Sequence, residues 1–250
     1  MYKIERLTLI VLAAYLSSCG SLGAKSENTK QQAEIHLQLG VRYMDLNKLE
    51  AAKENLLLSI DEDSSNPQTH NALAFLYEKL QKYDDAEDEY ETALDMKRDD
   101  FGIQNNFGRF LCEHGDAEKG MSLLGAAVNN PLNDRKWLAL TNAGRCLQSQ
   151  GRNQKAEGYF RQALEAKNDY APALAAMQKI SYQKKEFWAA KGYFDRYLSV
   201  SAPTAEMLYL AILTERAVNH TDRAKEYEQS LLVKFPASGE AKKIRSYYHH

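Results

Sequence analysis

The stretch PQTHNALAFLYEKLQKYDDAEDEYETALDMKRDD, residues 67–100, holds two apolar stripes at helical spacing, separated by a short polar break. Leu73-Ala74 and Tyr77 mark the first stripe; Ala86, Tyr90 and Ala93-Leu94 mark the second. Asn66-Pro67 opens the segment as an N-cap followed by proline at the first helical position. The small residue Ala86 belongs to a series that runs along the chain. Ala52, Ala86, Gly120, Ala156, Ala190 and Ala224 stand 34, 34, 36, 34 and 34 residues apart. A parallel series, Gly40, Ala74, Gly108 and Gly144, runs twelve residues ahead of it. A fixed period of this length means a stack of identical supersecondary units.

The pattern resembles the tetratricopeptide repeat, in which each unit is an antiparallel helix pair and small residues sit where helices cross closely. The resemblance implies an all-α fold, a right-handed superhelix of six units. Their expected bounds are 33–66, 67–100, 101–136, 137–170, 171–204 and 205–236. Units five and six carry Gln178 and Ile212 at the usual small position, so five units is the fallback. Asn130-Pro131-Leu132-Asn133-Asp134 absorbs the two extra residues of unit three as a longer loop, expected to loosen that junction. Pro236 stands where the repeat's terminal proline belongs. Beyond it, 237–250 reads as a capping helix, with Ser238 as N-cap and Ala241, Ile244, Tyr247 and Tyr248 as its covering stripe.

Composition narrows the function. The 250 residues are 44% apolar and 26% charged, enough for a sizeable core. A formal charge of −2 offers no basic field for nucleic acid. Catalytic and metal-binding patterns are not found. Gly115-Asp116-Ala117-Glu118-Lys119-Gly120 is followed by Met121 where a phosphate loop needs lysine, and it bridges two helices instead of following a strand. His36 and His70 share one repeat position, where packing between repeats is expected, and neither has a ligand-spaced partner. The carboxylates of 84–89 fall on a solvated second helix, and no serine sits in a nucleophile elbow. The reading is of a protein without cofactor, metal, small-molecule substrate or catalytic residues.

The N-terminus reads as an address. Lys3 and Arg6 precede the apolar run Leu7 to Leu16, too short for the ~20 residues that span a bilayer. It ends in Leu16-Ser17-Ser18-Cys19, which resembles a bacterial lipobox and implies acylation of Cys19 after removal of residues 1–18. Gly20 after the cysteine is compatible, by resemblance to Gram-negative lipoproteins, with the outer membrane and a periplasmic folded domain. Residues 19–32 read as a flexible tether, with the fold starting near Ala33.

The resemblance to tetratricopeptide proteins implies that ligand-facing positions lie on the first helix of each unit, at positions two, five, nine and twelve. In units one and two, Leu37, Val41, Met44 and Phe75 form a candidate apolar groove for a partner segment. The alternatives are that the tether covers the strip, or that Leu37 packs on the neighbouring helix. In units three and four, Asn105, Arg109, Asn142 and Arg145 form a candidate polar groove, continued by Lys179, suited to the carbonyls or carboxylates of an extended peptide. A solvated face, with Asn106 and Asn142 in structural bonds, is the alternative. Cys112 and Cys146 lie on adjacent first helices; a disulfide and two buried thiols are both open.

Asn105-Asn106-Phe107-Gly108-Arg109-Phe110-Leu111-Cys112-Glu113-His114-Gly115 and Asn142-Ala143-Gly144-Arg145-Cys146 resemble the PilF/PilW lipoproteins of type IV pilus biogenesis. The lipobox and six-unit length agree. The resemblance implies a pilotin, an outer-membrane lipoprotein that binds the pilus secretin and promotes its localisation, multimerisation or stability. It also implies that Cys112 and Cys146 correspond to the family's cysteine pair. The competing reading is a general periplasmic adaptor that gathers peptidoglycan enzymes or other envelope proteins.

Overall fold

The computed structural model describes residues 27–247. The segment read as a signal peptide, Cys19, most of the segment read as a tether, and Tyr248 lie outside the described residues. All regular structure among the described residues is helical, in two compact units, Met1–Phe107 and Gly108–His250. The first holds α1 (27–45), α2 (Leu49–Glu62), α3 (Pro67–Lys79) and α4 (Tyr83–Met96). The boundary falls inside α5 (Phe101–His114). The second continues through α6 (Ala117–Asn129), α7 (Lys136–Ser149), α8 (Asn153–Ala166), α9 (Ala171–Gln183) and α10 (Phe187–Leu198). It closes with α11 (Ala205–Ala217), α12 (Thr221–Lys234) and α13 (Gly239–Ser246).

The small residues stand at the helix crossings. Ala52, Ala74, Ala86, Ala156 and Ala190 are wholly buried. A Cβ added to Gly40 would stand 2.6 Å from Cγ of Leu56, and one on Gly144 2.7 Å from the Phe160 ring. Those distances are below van der Waals contact, so the crossings close only because the side chain is missing. Around them Leu56, Leu73, Tyr90 and Phe160 fill the spaces, each contributing roughly 1.5–3 kcal/mol of burial. Gln178 and Ile212 are also buried. The Gln178 amide reaches across to donate to the Met207 carbonyl, so its length links α9 to α11 where a small residue could not.

The turn inside each helix pair repeats as well. Asn47, Gln81, Gly151, Lys185 and Asn219 all adopt left-handed φ angles of 55–73°. The next residue's N–H returns to the carbonyl five back, as from Lys48 to Tyr43, Lys82 to Tyr77 and Glu186 to Ser181. This bond and the left-handed residue are the Schellman ending, which satisfies carbonyls left over at a helix C-terminus. In the α5–α6 turn the device differs. Asp116 caps α6, accepting from the backbone N–H of Glu118 and Lys119.

Four expectations need correction. Helix α1 is already formed at Glu27, ahead of Ala33, because Glu27 to Gln32 contains no glycine or proline to stop it. The loop after α6 is tied down: Asn130 accepts from the Leu132 N–H, and the Asn133 amide donates to the Ala127 carbonyl at 2.7 Å. His36 and His70 act as polar bridges, and His70 also meets the Ser64 carbonyl at the end of the preceding unit. Each bridges the helices of its own pair, His36 to Asn55 and His70 to Glu89 at 2.6 Å. In α13 the Ser238 hydroxyl accepts from the Ala241 N–H, and Ala241 and Ile244 are buried, but Tyr247 stays out, under the Arg216 guanidinium.

Candidate functional site

Each unit presents a surface made by its first helices. In the N-terminal unit a cavity of about 450 Å³ lies between α1 and α3, reaching Asn106 on α5. Val41 and Phe75 are exposed on it; Val41 has 40% of its surface free. Leu37, with 7%, and Met44 instead belong to the core with Ala52, Leu56, Leu73 and Leu76. The helical period explains the division. Residues 33, 37, 40 and 44 form one stripe facing inward, whereas position 41 sits on its flank. Of the candidate apolar groove, Val41 and Phe75 are therefore the exposed members, Met44 lines the cavity from the core, and Leu37 packs within the core. The Lys79 ammonium lies 5.3 Å from the centre of the Phe75 ring, and the Asn106 side-chain amide donates to Oδ1 of Asn71.

In the C-terminal unit a smaller cavity of about 250 Å³ is lined by Arg109, Glu113, Asn142, Arg145, Ser149 and the Cys112 and Cys146 pair. The two cysteines form a disulfide that joins α5 to α7 with Cα atoms 5.3 Å apart. Arg109 is committed to Glu113 at 2.9 Å. The Arg145 side chain makes no hydrogen bond or ion pair among the described residues, and it also borders a second cavity of about 480 Å³ between α7, α9 and α11. On that side Lys179 is paired with Glu206 at 2.7 Å. Burial raises the Tyr170 phenol pKa, and the Arg145 charge works against that shift. Of the four polar candidates, Arg109, Asn142 and Arg145 are brought together. Asn105 belongs to the N-terminal unit, where its amide donates to the side-chain oxygen of Asn106.

The sequence reading missed Asp45, Lys79, Glu113 and Ser149, which line the cavities at position thirteen of units one to four. The signal was present, since each lies four residues, one helical turn, beyond Val41, Phe75, Arg109 and Arg145. Lys79 over Phe75 and Glu113 on Arg109 are such pairs. Chemically these surfaces offer amide and guanidinium donors beside short apolar patches, the equipment for gripping an extended polypeptide.

Comparison with known proteins agrees with the architecture. Three stretches, 33–66, 67–100 and 139–174, match the tetratricopeptide repeat. The chain is 24% identical over 248 residues to the type IV pilus assembly protein PilF of Pseudomonas aeruginosa, covering 97% of this chain and 98% of the relative. The solved structure of that PilF superposes with a TM-score of 0.80, covering 88% of this chain and 99% of the other. The crystal structure of PilW, described as a widely conserved type IV pilus biogenesis factor, is 28% identical with a TM-score of 0.75, covering 85% and 97%. An uncharacterised Haemophilus influenzae protein is 29% identical over 127 residues, 51% of this chain and 71% of its own length. The chain is a PilF/PilW-like tetratricopeptide-repeat protein.

Proposed function

We propose that this protein is a lipid-anchored adaptor of type IV pilus biogenesis, a pilotin that binds the pilus secretin and promotes its assembly at the outer membrane. The observation that carries the reading is end-to-end similarity to PilF, with the PilW fold matched at 28% identity. The residues agree with it. The lipobox ending at Cys19 supplies an anchor, and the candidate contacts are Val41 and Phe75 in one unit and Asn142 and Arg145 in the other. A binding protein of this kind carries no reaction. No helix among the described residues is long and apolar enough to cross a membrane. In this reading the acyl chains on Cys19 hold the protein to the membrane, each buried methylene contributing about 0.8 kcal/mol.

The test is a Cys19→Ala variant beside a Val41→Asp, Phe75→Asp variant. The first is expected to leave the membrane while keeping its fold, and the second to stay anchored but capture less secretin from solubilised envelopes. Normal secretin multimers in cells lacking the protein, with peptidoglycan enzymes recovered instead, would favour the general adaptor.

A further inference from the structure

Helix α1 carries a second apolar stripe that neither the core nor the cavity uses. Ile35, Leu39 and Leu46 have 50%, 40% and 52% of their surface exposed. Ile35 and Leu39 fall at i and i+4 on the side of α1 opposite the inward residues Ala33, Leu37, Gly40 and Met44, and Leu46, in the turn just past the helix end, continues that side at i+11 with its N–H still bonded to the Arg42 carbonyl. Arg42 lies at i+7 of the same stripe. The helix's carboxylates, Glu27, Glu34 and Asp45, fall on a different stripe, at i, i+7 and i+18. One face of α1 is thus apolar with a single guanidinium and no acid, the composition of a helix surface that rests on anionic lipid.

Chain length says what lies near that face. Cys19 stands eight residues before Glu27. Even fully extended, that segment spans at most about 28 Å, and Ile35 follows about 12 Å further along the helix. A cysteine fixed in the leaflet therefore keeps the start of α1 within a bilayer's thickness of the lipid surface.

We infer that the Ile35, Leu39, Arg42 and Leu46 face of α1 lies on the membrane leaflet that holds the anchor, with the apolar side chains among the upper acyl chains and Arg42 at headgroup phosphate. This inference rests on the acylation of Cys19. Docking in this way leaves the cavity at Val41 and Phe75, on another side of the helix, open to a protein partner.

The experiment places p-benzoylphenylalanine at position 35, 39 or 46 of the full-length protein, and at exposed position 233 of α12 as a control. Each variant is reconstituted in phosphatidylethanolamine–phosphatidylglycerol vesicles, irradiated, and its adducts are weighed by mass spectrometry. Phospholipid adducts at 35, 39 and 46 at least fivefold above those at 233 are expected. A Leu39→Glu, Leu46→Glu background with unchanged helix content should remove the adduct from position 35. Adducts to a second copy or to no lipid, or equal lipid labelling at 233, overturn the inference. The mass of the N-terminal peptide reads acylation separately: acylated Cys19 with no lipid adduct sinks the docking face alone, whereas an unacylated Cys19 sinks the anchoring reading.

Discussion

Gly108 and Gly120 meet backbone to backbone where α5 crosses α6. A Cβ on Gly120 would stand 2.7 Å from the Gly108 carbonyl oxygen, and one on Gly108 2.9 Å from that of Gly120. Neither neighbour is a flexible side chain, so relief requires the helices to separate. Gly120→Ala is expected to destabilise the protein by about 1–3 kcal/mol. Gly125, five residues along α6, has open space where its Cβ would go. There the helix propensity of alanine dominates, and Gly125→Ala should stabilise by about 0.5–1 kcal/mol. Urea melts of the two variants should move in opposite directions.

The left-handed turn residues set a second contrast. Gln81 and Lys185 hold φ near +60°, which costs a residue with a Cβ on the order of 1 kcal/mol, whereas Gly151 holds the same conformation freely. Gly151→Ala should lower stability by about 1 kcal/mol. Lys185→Gly should raise it by a few tenths of a kcal/mol once the greater freedom of unfolded glycine is subtracted. A melt in which Gly151→Ala behaves like the parent would remove the argument.

The Cys112–Cys146 disulfide closes a loop with a sequence separation of 34. In the chain-entropy view a loop of that size contributes about 3–4 kcal/mol. A Cys112→Ala, Cys146→Ala variant should therefore unfold at lower urea than the oxidised parent, and reductant should move the parent toward it. The double variant should be insensitive to reductant.

His70 offers a dependence on pH. Its pKa is raised, first by the hydrogen bond to Glu89 and then by the Ser64 carbonyl, against the opposing effect of burial. A histidine whose folded pKa exceeds its unfolded value of about 6.5 stabilises fully below that value and loses the contribution as pH rises through the folded pKa. The parent should therefore melt at a lower temperature at pH 8.5 than at pH 6. Subtracting the same pair of melts for His70→Gln isolates this residue, and that difference should shrink markedly. Staying below pH 9 avoids titrating Tyr77, whose pKa burial raises.

Leu37 and Val41, one turn apart on α1, should respond oppositely to the same change. Leu37→Asp puts a carboxylate into a closed apolar cluster and should prevent the N-terminal unit from folding. Val41→Asp places it in solvent and should change stability by less than about 0.5 kcal/mol. Circular dichroism and limited proteolysis would separate the two.

The helix pairs were legible because the constraint that makes them is written in residue size. Ala52, Ala86 and Ala156 are small where backbones cross, and a period of 34 needs no knowledge of partners. The cap residues Asn66 and Ser238 were legible for a similar reason, since a side-chain oxygen followed by free N–H groups is local chemistry. The groove was harder. Leu37 and Val41 are equally apolar, and although the helical period puts Leu37 on the inward stripe with Gly40 and Met44, it does not say how far round α1 the neighbouring helices reach. Arg109 read as a donor for a ligand, yet Glu113 one turn away occupies it. Gln178 looked like a weakened repeat because only the position of Met207 shows what its length is for.

The segment between α6 and α7 has a practical use. Leu132 at its tip is the most exposed of the large apolar side chains among the described residues. The backbone on either side is held by Asn130 and by Asn133, so strain introduced between them need not propagate into the helices. An epitope tag or fluorophore-bearing peptide spliced in beside Leu132, with both asparagines kept, should therefore report where the protein resides in the cell without disturbing what it grips.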